Sequence, residues 1–82
     1  MIATRGMICE ELFDCAAFAS RNDCPDIVAL LMKARRIIKE EGPVDSAIPT
    51  LQDAADLRGV RKLPFLQARI ATLISALRRL SQ

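Results

Sequence analysis

The chain has 82 residues, about half of them apolar, a formal net charge of +2, and no His, Trp or Tyr. A domain of this size buries only about 60 % of the surface its unfolded form exposes, so its stability margin is small and self-association or partner binding bears directly on it. The composition is far from the disordered regime, and the lack of His removes the commonest general base and the commonest metal ligand together.

The charge is unevenly placed. Residues 1 to 56 hold all ten acidic side chains against six basic ones, whereas residues 57 to 82 hold Arg58, Arg61, Lys62, Arg69, Arg78 and Arg79 and no acid. A segment of this kind either meets nucleic acid, an acidic protein or an anionic surface, or lies against the acidic N-terminal helices.

In chain order, Met7 to Ser20 places Ile8, Leu12, Cys15 and Ala19 at helical spacing, with Glu10, Glu11 and Asp14 off that line. Acids in its first turns suit a helix N-terminus. Arg21-Asn22-Asp23 breaks the pattern, and Pro25 then opens a second helix that runs to about Glu41, with Asp26 in its first turn. Its apolar face is Ile27, Leu30, Leu31, Ala34, Ile37 and Ile38. Gly42 in a left-handed C′ conformation, followed by Pro43, is expected to stop it.

Gly42 to Thr50 reads as a linker. Thr50-Leu51-Gln52-Asp53 resembles a capping box with Asp for Glu, which predicts a short third helix from about Leu51 to Arg58; a start at a Ser46 cap is the alternative, since Pro49 then stays in the first turn. Gly59 is expected to end that helix, and Val60 to Leu63 to connect it to the next. Pro64 opens the last helix, Pro64 to Leu80, in which Leu66, Ile70, Leu73, Leu77 and Leu80 fall on one narrow arc.

No strand-like alternation is present, so the expected fold is all-α: a single domain over residues 1 to 82, a small helical bundle of three long helices and one short one. The second and fourth helices are expected to form its core, Ile27, Leu31, Ala34 and Ile38 against Ile70, Leu73 and Leu77. The Leu66, Ile70, Leu73, Leu77, Leu80 arc also qualifies as a helix interface with a partner or a second copy.

Catalytic chemistry finds little support. Cys9, Cys15 and Cys24 lack an imidazole partner, form no C-x2-C pair, and show spacings that fit no familiar zinc site. Cys9 and Cys15 on one helix lie about 9 Å apart along its axis, too far for a disulfide. Adjacent pairs Glu10/Glu11 and Glu40/Glu41 diverge by about 100° and share no substrate. No glycine cluster cradles a phosphate. The expectation is a non-enzyme with no catalytic residue, no metal and no cofactor.

The residues Ala17-Phe18-Ala19 look superficially like a cleavage site, but Glu10, Glu11 and Asp14 interrupt any apolar signal region. The longest apolar run, Ile27 to Met32, has six residues against the ~20 that span a bilayer. Free cysteines and the missing signal point to a reducing cytoplasm and to no membrane span.

Ala54-Ala55-Asp56-Leu57-Arg58-Gly59-Val60 resembles the middle of a helix-turn-helix motif, with a small residue at the helix crossing and a Gly-Val turn. The resemblance implies a second helix starting near Lys62 to Pro64 that presents Arg61, Lys62, Gln67 and Arg69 to DNA. The sequence departs from the pattern at Arg58, where an apolar residue usually precedes the Gly, and at Pro64. The leading expectation is therefore a cytoplasmic protein–protein interaction module, of small adaptor, chaperone or inhibitor type, that binds another protein or itself. Its basic face would be Arg58, Arg61, Lys62 and Arg69. Nucleic-acid binding through segment 54–79 is the alternative.

Overall fold

The computed structural model describes residues 4–40 and 42–81, and those residues are all-α with one aliphatic core. Five α-helices follow in order: α1 (Arg5–Arg21), α2 (Pro25–Lys39), α3 (Ala47–Ala55), α4 (Arg58–Arg61) and α5 (Pro64–Leu80), with a 3-10 turn at Val44–Ser46. The expected three long helices are there; beside the short α3 stands a further single turn, α4.

α1 starts two residues before the expected Met7, because Thr4 caps it: the hydroxyl accepts from the Met7 amide at 3.2 Å. That start leaves no acid in the first turn, so the expected match of Glu10 and Glu11 to the helix N-terminus is not formed. The chain leaves α1 through Asp23, which adopts φ 57°, a left-handed conformation that Asp tolerates. The Asn22 side-chain amide donates to Phe18 O at 2.8 Å and fixes the turn.

α2 begins at Pro25 as expected and ends at Lys39, two residues short of the expected limit; Glu41 lies outside the described residues. Its end is not made by a left-handed glycine. No described glycine has positive φ. Instead the Arg5 guanidinium reaches across from α1 and donates to Ile38 O at 3.0 Å and to Gly42 O at 2.7 Å, which satisfies carbonyls a helix terminus leaves open. Gly42 is needed for closeness rather than for φ: a Cβ there would stand 3.1 Å from Ile37 O.

The linker is shorter than the sequence suggests. α3 starts at Ala47, after Ser46, which makes no side-chain cap, and the Thr50–Asp53 capping box is not formed because Thr50 is already inside the helix and buried. Pro49 falls in the first turn, where no backbone donor is required. α3 ends at Ala55 rather than Arg58, and Gly59 sits within α4 instead of terminating a helix.

α1 packs on α2 and α5, and α3 packs on the same two, so four helices form a ring in the order α1, α2, α3, α5. α2 and α5 are thus diagonal, which corrects the expectation that they form a packed pair. The residues expected in the core are nonetheless buried: Ile27, Leu31, Ala34 and Ile38 on α2, and Ile70, Leu73 and Leu77 on α5. Each stripe is covered mainly from the sides by α1 and α3, with Leu12 and Leu51 wholly inaccessible at those seams.

Candidate functional site

The α4–α5 corner carries the most unusual surface of the molecule. Leu57 adopts an extended conformation and re-initiates one helical turn, so Arg58 and Arg61 bracket Gly59 and the buried Val60. The inward Val60 anchors this turn, and Arg58, Arg61 and Lys62 are left exposed. Pro64 then supplies the first residue of α5. Leu66 turns inward, and Phe65 beside it points out, 61 % exposed.

Phe65 is framed on two sides. Its ring centroid lies 5.4 Å from that of Phe18 on α1, tilted by 51°, within the range of favourable aromatic pairs. The guanidinium carbon of Arg69, one turn along α5, lies 5.8 Å from the Phe65 ring centroid, a cation–π distance. Arg69 also donates to the Glu11 carboxylate of α1, the single ion pair among the described residues. Beyond it, a groove of about 270 Å³ runs between α1 and α5 to Met7, which is 43 % exposed, over Leu73 and Ala76.

The four residues of the expected basic face therefore do not act as one cluster. Arg61 and Lys62 project from the corner with no acidic partner among the described residues. Arg69 is shared between Phe65 and Glu11. Arg58 lines a separate cleft of about 360 Å³ at the start of α2, with Asp23, Cys24 and Asp26. The Leu66, Ile70, Leu73 and Leu77 arc is buried inside this chain, with Leu80 partly so, and is used in its own core.

Of the geometry implied by the helix-turn-helix resemblance, the second helix is found, starting at Pro64, but the tight turn before it is not. The tight Gly59 turn is replaced by α4, so α3 and α5 are joined through an extra helical turn, and Arg69 is engaged with Glu11 rather than free. Phe65 was not among the residues expected to bind. Its signal was available: it lies outside the inward arc and four residues before Arg69.

The cysteines are free thiols. Burial raises the Cys15 thiol above its ordinary pKa, and the neighbouring Asp14 carboxylate adds to the rise. Cys24 donates weakly to Asn22 O at 3.4 Å and packs beside Gly59. Among the described residues no three His, Cys, Asp or Glu side chains gather to hold a metal, and no helix is long and apolar enough to cross a membrane. Comparison with protein-family models, with curated proteins and with solved structures finds no match.

Proposed function

We propose that the chain is a non-enzymatic, cytoplasmic protein–protein interaction module that docks an acidic partner protein on the α4–α5 corner and the adjoining α1–α5 groove. One observation carries the reading: Phe65, 61 % exposed, has the Arg69 guanidinium over its ring, and the exposed Arg61 and Lys62, which form no ion pair among the described residues, lie in the turn just before it in the chain. Exposed aromatic rings beside arginine are the composition of binding hot spots, because they bring large desolvatable area together with fixed donors. The basic rim steers an acidic surface toward the ring and raises the association rate. Neither feature supplies a reacting group.

Pull-downs from source cells, run in parallel with wild type, Phe65→Ala and the double variant Arg61→Glu/Lys62→Glu, test this. An acidic protein captured by wild type and lost from both variants is the expected result, with Phe65→Ala weakening the purified pair at least about tenfold. Equal capture by all three chains would refute the corner as the site. Saturable binding of duplex DNA at ~50 mM salt, falling steeply as salt rises, would transfer the basic residues to nucleic-acid recognition. Co-capture of a differently tagged second copy by wild type, lost from both variants, would make the partner the chain itself.

A further inference from the structure

α1 carries a second polar set on the side turned to α2, away from the Phe65 corner. Arg5, Cys9 and Glu10 of α1 face Arg35, Ile38 and Lys39 of α2 across a cleft of about 370 Å³. Two of its cations are positioned in advance. The Arg5 guanidinium is fixed by its bonds to Ile38 O and Gly42 O. The Arg35 guanidinium carbon lies 5.6 Å from the centroid of the Phe13 ring, which is itself 54 % exposed.

Arg35 is also incompletely satisfied: its Nε is buried and meets no acceptor in the protein. A buried, charged donor without an acceptor retains its desolvation penalty, which leaves Arg35 less completely neutralised by the protein than Arg5. Lys39 is exposed at the same cleft, and among the described residues Glu10 is the one acid lining it. Glu10 makes no ion pair with Arg5, Arg35 or Lys39 among the described residues. Among the described residues the cleft thus holds three positive side chains and one negative.

We propose that the α1–α2 cleft binds a phosphate group, with Arg35 and Lys39 as the binding cations and Arg5 as a fixed positive charge behind them. The excess of two positive charges matches a phosphate dianion and exceeds what a single carboxylate neutralises. Guanidinium forks fit phosphate oxygens in pairs, and side chains already held by Phe13 and by the α2 carbonyls lose little freedom on binding. Inorganic phosphate and a phosphate monoester offer the same head group, and the cleft volume admits either.

Nuclear magnetic resonance titration of the full chain at constant ionic strength, with inorganic phosphate in one arm and phosphoserine in the other, tests the site. Saturable shifts confined to amides around Arg5, Cys9, Arg35 and Lys39 are expected in at least one arm. A tighter monoester identifies an organic phosphate as the ligand, and equal affinities identify the free ion. Lys39→Met should weaken binding, and Glu10→Gln strengthen it, each by about threefold. Both residues are exposed, so both variants keep the fold, which circular dichroism verifies. Unsaturated shifts spread equally over Arg61, Lys62, Arg78 and Arg79, or affinity unmoved by both substitutions, would overturn the proposal.

Discussion

Gly59→Ala separates two physical reasons for a glycine. At a left-handed helix cap, alanine would be costly because of backbone conformation. Here φ is not positive and the residue is helical, so the backbone itself favours alanine by about 0.5–1 kcal/mol. Against that, the new Cβ would stand 3.2 Å from Cys24 Sγ and 3.2 Å from Ile27 Cδ1. Ile27 is 1 % exposed in the core and has little room to yield, and overpacking of this kind costs about 1–3 kcal/mol. The balance is a net loss of about 1 kcal/mol, or a melting temperature lowered by about 4–8 °C for a chain of this length. Since the chain has neither Trp nor Tyr, unfolding is followed by far-ultraviolet circular dichroism rather than by intrinsic Trp or Tyr fluorescence. Ile27→Val deletes one of the two crowded atoms, Cδ1, and in that background the cost of Gly59→Ala should shrink, the Cys24 Sγ contact remaining. A penalty of the same size in both backgrounds would show that the Ile27 contact is not what requires the glycine; a stabilised single variant would show that the two contacts cost less than the backbone gains.

Two further substitutions test the core. Leu73→Ala should destabilise by about 2–5 kcal/mol, as a residue 4 % exposed at the α1–α5 seam; unchanged stability with a shift from dimer to monomer in sedimentation would instead make its arc an intermolecular interface. Cys15, whose folded pKa is raised, stays neutral in the fold after the unfolded chain has ionised. Its contribution is therefore complete below the unfolded pKa, near about 8.5, and is lost as pH rises towards the folded value. Cys15→Ala should flatten the alkaline fall in melting temperature between about pH 8 and 10, and an identical slope in both proteins would refute the assignment.

What the sequence makes legible is local. Pro25 and Pro64 mark helix starts because their missing amide is harmless there, and the 4-3-4 spacing from Leu66 to Leu77 is a helix face that must be buried. The pairing of faces is not legible. Stripes on α2 and α5 are equally apolar, and only the ring order of four helices decides that each meets α1 and α3. The two glycines mislead for one reason: glycine serves tight approach as well as left-handed turns, and at Gly42 and Gly59 the close neighbours are Ile37 O and the Cys24–Ile27 pair. The end of α2 is bonded by Arg5, 33 residues away from Ile38, in addition to its local backbone bonds, and no local pattern encodes that long-range contact. In the candidate site, the exposure of Arg61 and Lys62 follows from the anchoring of Val60, whereas the diversion of Arg69 to Glu11 is a tertiary fact.

The charge imbalance between the two parts of the chain suggests at first that acid meets base to hold the bundle together. The packing argues against that use. Glu11–Arg69 is the one such pair among the described residues, and both partners are about 40 % exposed, where an ion pair contributes about 0–1 kcal/mol. One largely buried Leu73 outweighs it several times over. The aliphatic ring of α1, α2, α3 and α5 therefore carries the stability, and the cations at 58, 61 and 62 contribute little to it. Charges that the fold does not need, close in the chain to an exposed Phe65, are the ones on which the proposed recognition rests. Reversing Arg61 and Lys62 can consequently separate binding from folding, where substitutions in the leucine arc cannot.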